Sequence, residues 1–181
     1  MNSIEFQCVS WSAEDVDDNF EISIFGRTAD GKSVNLNTHF QPFFYVEVPQ
    51  NWNSNQWFEM ESNLRDQMRN WGRCDDQLIK MTSTKKKKFY GFTNEEFFKF
   101  ACFRFTTKNA MQKASKILQK NPKLTLYEAN IDPMLRFCHL QNIQLAGWCQ
   151  TSHGEIPDEK RTYTDIELFV ENWKNVKHYH C

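Results

Sequence analysis

"FFKFACFRFTTKNAMQKASKILQK", residues 97–120, changes its period halfway, and that change decides the fold. From 97 to 105, Phe98 and Phe100 alternate with Lys99 and Ala101, which is the period of a β-strand. From 107 onward, Ala110, Ala114, Ile117 and Leu118 recur at helical spacing, with Thr106 or Thr107 available as N-cap. This register sends Lys108, Lys113, Lys116 and Lys120 to the outward side of the helix.

The segments on either side complete a pattern. "QLIKMTSTKKKKFYGF" (77–92) precedes as a strand and "KLTLYEA" (123–129) follows as another. Further upstream, "PFFYVEVP" (42–49) is a short strand of aromatic and β-branched residues bracketed by prolines. Between them Trp57, Met60, Leu64, Met68 and Trp71 mark an amphipathic helix with Gly72 as its expected C-cap. The order over 42–128 is strand, helix, strand, strand, helix, strand. That is the split βαββαβ arrangement of ferredoxin-like and RNA-recognition-like folds. An α+β class with a mostly antiparallel sheet follows.

Two further regions flank this core. "EISIFGRTADGKSVNLNTHF" (21–40) holds two alternating runs joined through a turn at "ADGK", a β-hairpin. In "NIDPMLRFCHLQNIQLAGW" (130–148), Asp132 is an N-cap and Pro133 fits the first helical position. Met134, Leu135, Phe137, Cys138 and Leu140 predict a helix buried on more than one side, with Arg136 as a structural anchor. "IQLAGWCQ" and "RTYTDIELFV" close the chain as strands. The expected organisation is a hairpin region at 1–41, the βαββαβ core at 42–128 and a helix–strand segment at 129–181, all in one domain.

Composition bounds the function. With 16 phenylalanines and 40% hydrophobic residues, 181 residues suffice for a packed core and argue against disorder. No window approaches the ~18 apolar residues of a membrane span, and no signal-peptide pattern opens the chain, so an intracellular, non-membrane protein is expected. The net charge of -1 conceals an asymmetry: residues 1–66 carry 3 basic and 11 acidic side chains, while 85–123 carry 11 basic against 2 acidic, locally +9. Such a segment attracts phosphate backbones through counterion release, or else forms a solvated face. Lys85, Lys86, Lys87 and Lys88, with Lys108, Lys113, Lys116 and Lys120, are the candidate nucleic-acid contacts.

Cysteine usage points to reduced thiols, because the six cysteines show no CxxC pair and no secreted framework. Cys149, His153, His178, His180 and Cys181 could in principle gather a zinc ion, but their spacing is not the tight pairing of structural zinc sites. No metal is expected in this chain.

Several of these stretches together resemble the N-terminal region of family B DNA polymerases, especially the delta-type enzymes of eukaryotes and large DNA viruses. The stretches are "IFGRTADGKSVNLNTHFQPFFYVEVP", "KKKKFYGF", "FRFTTKNAMQKASKIL" and "LYEANIDPMLRFCHLQNIQLAGW". The matching positions are Pro42, Phe44 and Tyr45 in the proline-aromatic strand, Tyr127 and Asn130 in the Tyr-Glu-x-Asn segment, then Arg136 and Trp148, all as structural anchors. The resemblance implies a non-catalytic domain that lines the path of single-stranded template and packs beside a 3′–5′ exonuclease. It also implies completion of the domain by a segment from beyond that exonuclease. The parent would be a DNA-directed DNA polymerase of DNA replication, with DNA and the remaining polymerase domains as partners and a sliding clamp reached through other regions. Mg²⁺ would serve the exonuclease and polymerase domains only, in a nucleus or a cytoplasmic viral replication site.

Asp165-Ile166-Glu167 invites a different reading, since an acid, one apolar residue and a second acid can hold a pair of metal ions. Polar Arg161, Thr162 and Thr164 precede it, and Glu171 is the sole acid after Val170, too few carboxylates for a two-metal site. An edge strand is expected, with Ile166, Leu168 and Val170 on one face and Asp165, Glu167 and Phe169 on the other. The alternative to a polymerase segment is a standalone ferredoxin-like module binding single-stranded nucleic acid or protein. The string "FYGF" departs from the aromatic motif by which such sheets read RNA.

Overall fold

The computed structural model describes residues 3–87, 97–143 and 145–179. Its strands are β1 (Ile4–Val16), β2 (Asn19–Arg27), β3 (Ser33–Phe40), β4 (Phe43–Glu47), β5 (Leu78–Lys87), β6 (Phe97–Phe105), β7 (Leu126–Tyr127), β8 (Gly147–Thr151), β9 (Ile166–Phe169) and β10 (Val176–Tyr179). The α-helices are α1 (Ser54–Gly72), α2 (Lys108–Gln119) and α3 (Pro133–Leu140). The chain divides into two units, Gln41–Ile131 and Met1–Phe40 with Asp132–Cys181.

In the Gln41–Ile131 unit the sheet order is β5-β6-β4-β7, every pairing antiparallel. This is the strand order of the split βαββαβ arrangement that the period change predicts. Alternation along β4 and β6 delivers Phe44, Val46, Ala101, Phe103 and Phe105 to the core, where they meet Leu64 and Met68 of α1 and Ala110, Met111, Ala114, Ile117 and Leu118 of α2. Phe44 packs at 5.5 Å from Phe105 and 5.7 Å from Phe103, ring centre to ring centre.

Both helices are capped by their own sequence. The Asn53 side chain accepts from the backbone N–H groups of Asn55 and Gln56, while Gln56 Oε1 accepts from Asn53 N–H, a reciprocal capping box. For α2 the N-cap is Thr107, whose Oγ1 accepts from Ala110 N–H at 3.1 Å. Two expectations for α1 are corrected. Its left-handed cap is Arg73 (φ 49°) rather than Gly72, and Trp71 is half exposed: Leu64 and Met68 of the stripe are buried, and Trp57 and Met60 pack against the core from its margin.

The second unit is a six-stranded sheet ordered β10-β8-β1-β2-β3-β9, antiparallel except where β3 runs parallel to β9. The ladder joins the 1–40 and 132–181 segments, which the sequence treats as separate flanks, because β8 pairs directly with β1 and β9 with β3. β1 has no counterpart among the sequence expectations. It connects to β2 through Asp17 and Asp18, both with positive φ (47° and 62°), as a two-residue hairpin turn demands. A bulge between Cys8 and Ser10 interrupts its alternation. The core here gathers Phe6, Phe20, Ile22, Ile24, Val34, Leu36, Phe137 and Val170.

α3 begins as expected, with Asp132 Oδ1 accepting from Met134 N–H and Pro133 in the first turn. Its faces differ from expectation. Arg136, Phe137 and Cys138 point inward, whereas Leu135 and Leu140 are exposed. The apolar composition suggested burial nearly all round, but eight residues give the helix a single inward stripe and leave these leucines outside it.

Candidate nucleic-acid interface

Between residues 97 and 127 there are seven basic side chains and no acidic one, so the positive potential of this stretch has no internal compensation. α2 concentrates it. Its buried stripe fixes the helix against the sheet, and Lys113, Lys116 and Lys120, three and then four residues apart, line up on the other side. Lys116 and Lys120 are exposed, and Lys108 and Lys113 are half-buried. Among the described residues, none of Lys113, Lys116 and Lys120 has a carboxylate partner.

The end of α1 meets this stripe. Lys120 Nζ lies 4.7 Å from the centre of the Trp71 ring, a cation–π contact. Lys113 reaches the last residue of α1 so closely that a Cβ at Gly72 would stand 2.7 Å from Nζ. An ammonium group there also complements the negative end of the α1 dipole. The arginine charges of α1 are engaged elsewhere: Arg65 with Glu61 at 2.8 Å, Arg69 with Asp75 at 3.0 Å and Asp66 at 3.5 Å.

The second lysine run lies on β5. Lys85 and Lys86 are exposed, Lys87 ends the strand, and Lys88 lies outside the described residues, as do Tyr90 and Phe92. Lys86 Nζ sits 4.0 Å above the Tyr45 ring and donates to Tyr45 Oη at 2.7 Å. This surface borders the sheet face opposite the helices, where Phe43 and Phe100 are 5% and 4% exposed. Arg104 covers Phe43 at 4.5 Å. Rings so buried do not offer the open stacking platform by which a standalone module of this fold would read bases.

The remaining anchor positions are placed as follows. The Pro42 carbonyl accepts from Phe105 N–H at 2.9 Å, Phe44 is buried in the core, and Tyr127 Oη donates to Glu47 Oε2 at 3.1 Å. Asn130 is exposed, Arg136 is buried, and Trp148 is half-buried on β8 opposite Gln7.

Asp165 and Glu167 are already committed to protein donors. Asp165 Oδ2 accepts from the Ser33 N–H at 2.8 Å and the Ser33 hydroxyl at 2.9 Å, and these bonds hold its carboxyl below the ordinary range. Glu167, 3% exposed, accepts through Oε2 from Arg161 N–H, Thr162 N–H and the Thr162 hydroxyl. The face expected to be half-open at Glu167 is thus closed by the 161–162 loop. Arg161 also bonds Glu21 at 2.9 Å. Burial raises the Glu21 pKa, yet hydrogen bonds from His39 and Arg161 outweigh it and the net shift is downward.

Of the candidate zinc residues, Cys149 and His178 meet. Cys149 contacts Cys8 at 3.1 Å and His178 Nδ1 at 3.2 Å, while His153 bonds its neighbour Ser152 and His180 and Cys181 lie outside the described residues. The Cys8–Cys149 hydrogen bond lowers the Cys8 thiol pKa and raises that of Cys149. Among the described residues no group of three or more His, Cys, Asp or Glu side chains is arranged to hold a metal ion, and no helix is long and apolar enough to cross a membrane.

No family model matches the chain. The DNA polymerase of Acanthamoeba polyphaga mimivirus is 31% identical over 197 residues, covering 96% of this chain and 11% of that protein. The DNA polymerase of Paramecium bursaria Chlorella virus NY2A is 31% identical over 175 residues, covering 93% of this chain and 18% of that protein. The family B DNA polymerase of the hyperthermophilic archaeon Pyrobaculum calidifontis shares the fold with a TM-score of 0.69 at 14% identity, over 98% of this chain and 21% of that one. Sequence similarity ties the chain to viral DNA polymerases, and its fold is that of part of a family B DNA polymerase. It is homologous to a segment of the DNA polymerases of large DNA viruses, and it spans less than a fifth of the length of these two viral relatives.

Proposed function

We propose that the chain is the non-catalytic N-terminal segment of a replicative DNA polymerase, positioning single-stranded template on its basic surface and packing against a 3′–5′ exonuclease domain. The observation that carries this reading is the unpaired stripe Lys113–Lys116–Lys120 on a stretch without acids. The lysines of β5 add to the positive charge of this unit. Packing against further domains is supported by Leu135, Leu140 and Leu145, large apolar residues 57%, 54% and 47% exposed on and just after α3.

Catalysis lies outside these residues. Asp165 and Glu167 do not present an open metal pair: Asp165 Oδ2 and Glu167 Oε2 accept from backbone and hydroxyl donors, and Glu167 Oε1 is buried with Arg161 Nε 3.8 Å away. Mg²⁺ belongs to the exonuclease and polymerase domains of the parent, which would act in a nucleus or a cytoplasmic replication site. A sliding clamp would engage regions other than these.

Salt dependence tests the reading. Binding of an oligothymidylate is expected to weaken with salt, and K113A/K116A/K120A should flatten the log–log slope by about 2, from roughly 0.7 per single-strand phosphate contact. Fluorescence anisotropy over a salt series gives the slope, and an unchanged value for the triple variant contradicts the proposal.

A further inference from the structure

We infer that Trp71 is a base-stacking platform for single-stranded nucleic acid, flanked by Lys113, Lys116 and Lys120 as its phosphate contacts. This rests on the proposed nucleic-acid role and goes beyond it by naming the part of the strand that is recognised.

Four observations converge on this spot. Trp71 ends the apolar periodicity of α1 yet is 50% exposed, although a core indole would be covered. Lys120 is held over the ring at 4.7 Å, and Lys113 lies against the next residue, Gly72, so two cations of one helix stripe meet the end of α1. Arg73, two residues on, is exposed in the left-handed cap and adds a cation. Arg69 pairs with the nearby acids Asp66 and Asp75, and these with Asp76 are outnumbered by Arg69, Arg73, Lys113, Lys116 and Lys120.

An exposed aromatic ring beside unpaired cations matches what an unpaired nucleotide presents: a π face and an adjacent phosphate. Duplex DNA offers the phosphates but keeps its bases stacked, so the occupant is a single strand. The indole supplies contact that tolerates any base, and the lysines supply the salt-dependent part. The segment Lys113 to Lys120 extends about 10 Å along the helix, which limits the contact to a few nucleotides.

The test compares an oligothymidylate with an abasic oligonucleotide of equal length, by anisotropy at fixed salt. The native chain is expected to prefer the thymidylate by about tenfold or more. W71A should lose that preference while keeping the abasic affinity and the salt slope, and W71F should retain part of it. The abasic arm alters the ligand instead of the protein, so folding defects cannot imitate the result. A preference that survives W71A overturns the inference, as does a native chain that binds both oligonucleotides equally. Equal displacement by polyglutamate would also overturn it, assigning the patch to an acidic protein surface. Absence of any salt-dependent binding would instead defeat the broader nucleic-acid reading, and the inference with it.

Discussion

F103A is expected to destabilise the Gln41–Ile131 unit by about 3–5 kcal/mol, the usual cost of removing a buried phenylalanine. Phe103 is fully buried at the centre of β6, between α1, α2 and the strand carrying Phe44. Its ring packs on Phe44, which in turn stacks on Phe105, so the void opens at the end of a row of aromatic rings. Those rings are held by the pleat on both sides and cannot slide together to fill it. Urea unfolding followed by circular dichroism would show the loss as a lower midpoint. A midpoint unchanged from the native chain would mean that the sheet–helix interface at Phe103 is wrongly drawn.

G26A should damage the other unit by about 3 kcal/mol, the upper part of the range for inserting a methyl group into packed surroundings. A Cβ at Gly26 would stand 2.2 Å from the Gln7 carbonyl oxygen and 2.4 Å from Phe6 Cδ2. The first neighbour is backbone of the paired strand and cannot rotate aside. β1 would have to withdraw from β2 beside the Cys8–Ser10 bulge, weakening the ladder that also carries β8. Hydrogen exchange of the β1 amides reports this directly. Native-like protection of those amides in G26A would contradict the pairing.

These two sites differ in how far the sequence announced them. Phe103 sits in a strand whose period-2 alternation passes cleanly into the helical spacing of α2, so both element types were legible, but the face that meets the helices is that of Ala101, Phe103 and Phe105, not that of Phe98 and Phe100. β1 was hidden for two physical reasons. Its bulge shifts the alternation after Cys8, and its turn uses Asp17-Asp18 in left-handed conformation instead of the Gly-containing pairs that signal a hairpin.

The candidate surface was legible in charge but not in shape. The absence of acids from 97 to 127 and the outward register of the lysines follow from the residues themselves. Trp71 was assigned to the buried stripe because spacing alone cannot tell where a helix outruns its core. The Asp165-Ile166-Glu167 segment was read as an edge strand, and it pairs with β3 at the sheet edge. The burial of Glu167 depends on donors from the 161–162 loop, a tertiary contact without a local signature.

Lysine footprinting would show whether the α2 lysines meet single-stranded DNA. The chain would be acetylated with and without excess oligothymidylate, and modification at each lysine read by mass spectrometry. Protection of Lys113, Lys116 and Lys120 is expected, with no change at Lys32, Lys160, Lys174 or Lys177 of the other unit. Equal modification of the α2 lysines with and without the oligonucleotide, or protection confined to the other unit, would contradict the proposed contact.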